Sequence, residues 1–506
     1  MRFAVPLTSL HALVLTIVLV PSSVWAQGSF VYTNDNAFGP NTVSAFSVSS
    51  NGTLTLLAGS PFATGGLGGN LGGLYASNRT AVVGNLLFAS NPGSNDVSAF
   101  KINRITGALT AVAGSPFAMA GDGSLGIALS ATPNRRFLMA ADSGSNTITA
   151  FSIALSGSLS TIPGSPFATV AALDGIKVSP DGKFLAVAEL TPGQVEMFSI
   201  ASSGVLSSLG EFPGAEGATY AGIDIDCSTR FLYTGDLALN GSGLTTVDAF
   251  NIATDGALAT VTGSPFVAPI GVGESNVVLL SPDGKILYAS NQSANTITAF
   301  SVGPTGNLSV LPDSPFSMNS IENPSAMATN EDGKLLFVGS YRDILSFGAA
   351  VSVFSVGSNG TLNEVGGSPF PTGQENALLS ISAYPPKSCV QRLGIEIKPP
   401  ALPPVPLNPL AEGKIPVAIL STLSFNAVTE IDPNSLTFGH TGNESSLVDC
   451  NSEGEDVNGD GLVDLVCHFN TEQTAFVFGD ITAVLKGKTV TGRQIQGSER
   501  IRTVSH

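Results

Sequence analysis

The 506-residue sequence is poor in charge: Asp, Glu, Lys and Arg make up only 12 % of it, half of the roughly 25 % usual in soluble domains. Long amphipathic helices, which need a charged face, are excluded by that shortage. The charges that remain are unbalanced, 21 Lys and Arg against 38 Asp and Glu for a net charge of −17. Nucleic acid and anionic membranes are therefore repelled at long range. Tryptophan occurs once, at Trp25, and histidine four times, at His11, His440, His468 and His506. Residues 27–385 thus contain no imidazole to move protons near neutral pH. No apolar run reaches the ~18 residues of a membrane span. Disorder is excluded by what is present, since 43 % hydrophobic residues supply ample surface to bury.

The N-terminus reads Met1-Arg2, then an apolar run from Ala12 to Val20, then small side chains at Val24 and Ala26. A short basic start, an apolar core too brief to span and a small-residue site describe a secretory signal peptide cleaved after Ala26. The mature protein is then secreted or periplasmic and has no tryptophan. Its four cysteines, Cys227, Cys389, Cys450 and Cys467, show no Cys-x-x-Cys spacing, which favours disulfides over zinc. Three connectivities are open. The favoured one pairs Cys450 with Cys467, which bracket one compact acidic loop, and Cys227 with Cys389, largely by elimination.

One phrase recurs seven times, as in Thr42-Val-Ser-Ala-Phe-Ser-Val48, Thr147-Ile-Thr-Ala-Phe-Ser-Ile153 and Thr296-Ile-Thr-Ala-Phe-Ser-Val302, with its phenylalanine at 46, 100, 151, 198, 250, 300 and 354. A second strand follows each phrase, and a hairpin pair joined by turns such as Ser281-Pro-Asp-Gly284 precedes it. Four short antiparallel strands per ~50 residues, repeated radially, make a propeller blade. Both faces of a blade are covered by its neighbours, so each phenylalanine is expected to wedge between blades, contributing roughly 1.5–3 kcal/mol. Six units end in Ser-Pro-Phe, from Ser60-Pro-Phe62 to Ser368-Pro-Phe370, whereas the fourth reads Glu211-Phe-Pro-Gly214. Proline places this tail at the outer rim. The first unit begins with Phe30-Val-Tyr-Thr33 and lacks an innermost strand, which Ala377-Leu-Leu-Ser-Ile381 is expected to supply, closing the ring.

The period, the Pro180-Asp-Gly-Lys183 and Pro282-Asp-Gly-Lys285 hairpins and the repeated phrase resemble the YVTN and lactonase-like seven-bladed propellers, which include 6-phosphogluconolactonase-type enzymes, over about residues 28–385. WD40 and kelch propellers are disfavoured by the missing tryptophan. The fold class is therefore all-β, a seven-bladed β-propeller over residues 27–385. A linker at 386–394 and a small C-terminal β-sandwich over 395–506, its start dense in proline from Pro399 to Pro409, complete the chain. Ile395-Glu-Ile-Lys-Pro399, Gly413-Lys-Ile-Pro-Val-Ala-Ile-Leu420 and Gly497-Ser-Glu-Arg-Ile-Arg-Thr503 resemble a module appended to many exported bacterial proteins, a family without established activity.

That module carries the sharpest chemical pattern. Asp456, Asn458, Asp460 and Asp464 place oxygens at positions 1, 3, 5 and 9 of an EF-hand-like loop, with Gly461 at 6 and the Leu462 carbonyl at 7. Position 12 is Cys467 rather than Glu, so calcium is expected to bind weakly.

In the resembling enzymes a Pro-Arg-His phrase on the innermost strands supplies the histidine and arginine of the site. The matching positions here are Leu173-Asp174-Gly175 and Pro324-Ser325-Ala326. Glu189-Leu190 matches a Glu-Leu of the enzymes and leaves Glu189 as the catalytic candidate. Asp122, Asp174, Glu216, Glu274, Glu322 and Glu375 lie in the connections between blades and are expected near one mouth of the central channel, as a cation-selective or polycation-binding rim. The favoured reading is a non-catalytic, monomeric binding or scaffold propeller for an extracellular ligand, protein or wall polymer. The alternative is a lactonase-like hydrolase acting on a sugar lactone.

Overall fold

The structure is a computed structural model and describes residues 28–36, 39–69, 78–121, 126–237, 246–269, 275–318, 323–340, 349–374, 380–422 and 425–505. Seven antiparallel sheets of the same design succeed one another along the chain. Blade 3 shows the pattern: Ile127–Ala131, Phe137–Asp142, Thr147–Ile153 and Leu159–Thr161 pair in that order from the innermost strand outward. The inner hairpins turn where the Pro-Asp-Gly motifs stand. In blade 4 Gly182 adopts φ +74° and donates its N–H to the Ser179 carbonyl at 2.8 Å, while the Ser179 hydroxyl donates to Asp181 Oδ1 at 2.6 Å.

The repeated phenylalanine does what its spacing predicts. All seven are at most 2 % exposed, and each packs with the preceding blade. Phe151 of blade 3 shares a cluster with Phe88, Val97 and Ala99 of blade 2, and Phe46 of blade 1 shares one with Phe337, Val351 and Val353 of blade 7.

The Ser-Pro-Phe tail also has a physical reason. It pairs with the far end of the third strand, beside the short fourth strand, so the outermost position of the blade is filled by two pieces. At the break between them one third-strand N–H would lack a partner, and the tail serine supplies it. Ser115 Oγ accepts from Ala99 N at 3.0 Å, Ser165 Oγ from Ala150 N at 3.1 Å and Ser314 Oγ from Ala299 N at 2.8 Å. Blade 4, which lacks the motif, runs one continuous strand, Leu206–Pro213, with a bulge opposite Met197 and Phe198.

The ring closes as expected. Phe30–Asn34 pairs on its inner side with Ser380–Tyr384, so Ser380 and Ile381 of the expected strand take part and the pairing runs on to Tyr384, while residues 377–379 lie outside the described residues. The buried stack of Phe30 on Tyr384, ring centroids 6.2 Å apart, fixes this alignment.

Beyond the propeller two further sheets share one core. Gln391–Leu393, Gln494–Thr503, Thr482–Thr489 and Ile431–Gly439 form the first, and Ile395–Ile397, Lys414–Ile419, Leu465–Asn470 and Leu447–Cys450 the second. Phe438, Leu485 and Ile495 of one meet Ile397, Val417 and Phe469 of the other. Gln391–Leu393 pairs in parallel with residues 495–497, so part of the stretch read as linker belongs to the sheet.

Both favoured disulfides are present, Cys227–Cys389 and Cys450–Cys467, the chemistry of an oxidising compartment. The expected signal peptide lies outside the described residues. Among the described residues no helix is long and apolar enough to cross a membrane.

Candidate functional site

Each innermost strand begins where the chain arrives from the preceding rim and ends at an inner hairpin or, in blade 1, at the segment leaving the propeller, so all seven run from one face, here the upper, to the other. The channel they surround is crossed by polar side chains. Asn78, just before Thr80–Val83 of blade 2, donates through Nδ2 to the carbonyls of Leu129 and Ile176 at 2.8 Å each, reaching past blade 3 to blade 4. Its neighbour Arg79 is also buried and senses the charge of Asp174, the second residue of Leu173–Val178. Burial pushes the Arg79 guanidinium down to about 10 and the Asp174 carboxylate acts against that shift, so the cation persists at neutral pH. Asp174 therefore lies inside the channel wall, opposite a cation, rather than on a solvated rim. Arg79 escaped sequence reasoning because it stands in a connection outside the repeat.

Of the other expected mouth acids, Glu216 is exposed in a turn of the connection before blade 5, and Asp122, Glu274, Glu322 and Glu375 lie outside the described residues.

Glu189 is completely buried. Its Oε1 accepts from Ala171 N at 3.2 Å and its Oε2 from Gln194 Nε2 at 2.5 Å. Burial, with smaller repulsions from Glu196 and Glu211, pushes its carboxyl up to about 7. The position is one of seven equivalents: second strands end in Asn34, Asn91, Asp142, Glu189, Asp236, Asn291 and Ser340. Its counterparts tie the same corner. Asn291 donates to Thr296 and Thr298 at 2.9 Å each, and Asp236 accepts from Thr219 N at 2.9 Å. Glu189 thus does the hydrogen bonding of its siblings with a longer and more acidic side chain.

The lower end of the channel holds a group that the sequence pattern does not reveal. Asp224, 1 % exposed, accepts an ion pair on each oxygen, from Lys177 at 2.7 Å and from Lys387 at 2.8 Å. Lys387 belongs to the segment after the closing strand and also donates to the Leu280 carbonyl at 3.1 Å. Cys389, two residues on, is bonded to Cys227 in the hairpin below blade 5. Burial would raise the Asp224 carboxyl, but the two ammonium groups outweigh it and hold it far below the usual carboxylate range.

In the C-terminal module Asp456, Asn458 and Asp460 are exposed on one loop. Their oxygens accept backbone N–H bonds within it, Asp456 from Gly459 and Gly461, Asp460 from Leu462 and Asn458 from Asp460. Asp464 is buried, with both oxygens engaged by Ser421 N and Val457 N. Cys467, the position where a bidentate acid would stand, is in the disulfide. Among the described residues no group of three or more His, Cys, Asp or Glu side chains is gathered as a metal centre. The donor set fits a cation only in part: the loop is closed by its own amides.

No curated protein matches the chain in sequence. Among solved structures it is similar to a protein from Bacteroides fragilis provisionally assigned as a 6-phosphogluconolactonase, at 20 % identity and a TM-score of 0.55 over 71 % of this chain and 99 % of that one. It is also similar to the periplasmic gluconolactonase of Pseudomonas aeruginosa, at 17 % identity and a TM-score of 0.52 over 70 % of this chain and 98 % of that one. Likeness at these identities is one of fold. The family model described as lactonase, 7-bladed beta-propeller, matches residues 94–222 and 244–367, half of the sequence, and the chain belongs to that family.

Proposed function

We propose that the protein is an exported hydrolase that opens a sugar lactone. The observation that carries this reading is the placing of a buried cation, Arg79, in the field of a buried acid, Asp174, at the upper end of the channel of a lactonase-family propeller. Hydrolysis adds water to the ring carbonyl, breaks the ring C–O bond and leaves the proton on the departing oxygen. Arg79 suits the negative charge that gathers on the carbonyl oxygen, and Asp174 suits the removal of a proton from water. The net charge of −17 favours a neutral aldonolactone over a phosphosugar. The fold likeness to a periplasmic gluconolactonase points the same way.

The test is ring opening of glucono-lactone and of 6-phosphogluconolactone above spontaneous hydrolysis. Turnover of the neutral lactone is expected, falling roughly 10²-fold or more in Asp174→Asn and in Arg79→Lys, the latter because an ammonium cannot reproduce the planar fork. A second reading, a non-catalytic binding propeller, is favoured by one observation: the propeller sequence holds no histidine, and Glu189 is committed to its corner. Folded protein with no turnover on either lactone establishes the second reading and refutes the first. Calcium at residues 456–464 remains a proposal that rests on the oxygen spacing and requires Asp456 and Asp460 to turn away from the amides they now accept.

A further inference from the structure

A cavity of about 280 Å³ opens on the lower face, against the segment that leaves the propeller. Gly84, Arg104, Arg135 and Glu331 line it from three blades, and Tyr384, Pro385, Pro386, Lys387, Ser388 and Arg392 from the closing strand and the segment after it. Four of the chain's 21 cations therefore meet in one place, in a protein with 38 acids. Lys387 is already spent on Asp224. The guanidinium groups of Arg104, Arg135 and Arg392 take part in no hydrogen bond or ion pair among the described residues, and all three side chains are exposed. Arg135 lies close over Gly84, where a Cβ would collide with its guanidinium. Tyr384 forms the buried wall, and its phenol lies in the field of Arg104, Arg135 and Glu331.

Three unspent guanidinium groups against Glu331 leave two positive charges uncompensated. We propose that this cavity binds a doubly charged oxyanion of the phosphate-monoester type, gripped by Arg104 and Arg135 of the propeller and by Arg392 beyond it. The planar forks of arginine match the oxygens of such an anion, where ammonium groups would offer only point charges. Because the wall of the cavity includes residues on both sides of Cys389, the anion bridges the propeller and the segment leading to the C-terminal sheets, and binding stabilises that junction. The site is at the opposite end of the channel from Arg79 and Asp174 and does not depend on the lactonase reading.

Calorimetric titration of the full-length exported protein with inorganic phosphate at low ionic strength tests this, with dimethyl phosphate and acetate as singly charged controls. The expected result is saturable heat and a rise in melting temperature with phosphate, both reduced about tenfold in affinity by Arg104→Gln or Arg135→Gln and weakened by salt. Glu331→Gln is expected to tighten binding, a gain that no misfolded variant can imitate. Absence of saturable binding, equal binding of the singly charged controls, or unchanged affinity in the Arg104→Gln, Arg135→Gln double variant overturns the proposal.

Discussion

At its upper end the channel sets one buried cation against one buried acid, Arg79 against Asp174, both supplied by the propeller. At its lower end Asp224 is enclosed on both oxygens, by Lys177 from its own ring and by Lys387 from the segment beyond it, with Leu280 N and Ile225 N completing the shell. The lower group has no oxygen left for a ligand. It behaves as a rivet, whereas the upper end is where the proposed chemistry would lie.

The largest effect is expected from Asp224→Ala, which strands Lys177 and Lys387 together. A loss of about 3–5 kcal/mol in denaturant unfolding is expected. Lys387→Met should cost less, because Lys177 still neutralises the acid. The pH dependence has a definite sign. Asp224 is depressed from 3.8, so its contribution is present above that value and is lost as the pH falls below it.

The next effect is at the upper end. Glu189 is raised from 4.5 to about 7, so the native state holds its proton more tightly than the unfolded chain. Its contribution is complete below pH 4.5 and disappears as the pH rises to 7. Glu189→Gln, which does not titrate, should match the wild type at pH 4.5 and exceed it by roughly 1–3 kcal/mol at pH 8 in thermal melts. If Glu189→Gln also abolishes lactone turnover, its place among the seven structural corners is not its whole role.

The smallest effect is expected far from the channel. Millimolar calcium should stabilise the C-terminal sheets by about 0.4–1.4 kcal/mol at most, given a dissociation constant of roughly 10⁻⁴–10⁻³ M. Calorimetry should place the shift in one transition and lose it in Asp460→Ala. No heat at millimolar calcium leaves the loop as a set of backbone-bonded turns.

The propeller is legible in the sequence because it is written seven times: a phenylalanine returning every ~50 residues fixes blade number, strand order and the packing between blades. Single events are less legible. Pattern alone stops the closing strand at Ile381 and misses its continuation to Tyr384, because the contact at that end, Phe30 on Tyr384, occurs once and has no period. Asp174 reads as a rim acid because its partner, Arg79, precedes blade 2 while Asp174 belongs to blade 4. Lys387 and Asp224 are 163 residues apart, and no spacing rule links them. One signal is available: Lys177 is the only charged residue besides Asp174 in the otherwise uncharged strand Leu173–Val178, and a lysine on an inner strand needs a counter-charge across the channel.

The closing strand also sets an order of events in the life of the chain. Phe30–Asn34 is the first of the propeller's described strands to be made, yet its inner neighbour, Ser380–Tyr384, follows some three hundred and fifty residues later. Until then the first blade carries an open hydrogen-bonding edge and the wedge that Phe46 forms with blade 7 is missing. A chain arrested before residue 380 would expose that edge together with two apolar blade faces, the surface from which strands pair with other molecules. The ring can therefore be assembled only after its last strand has arrived, and the chain is safest kept unfolded until then.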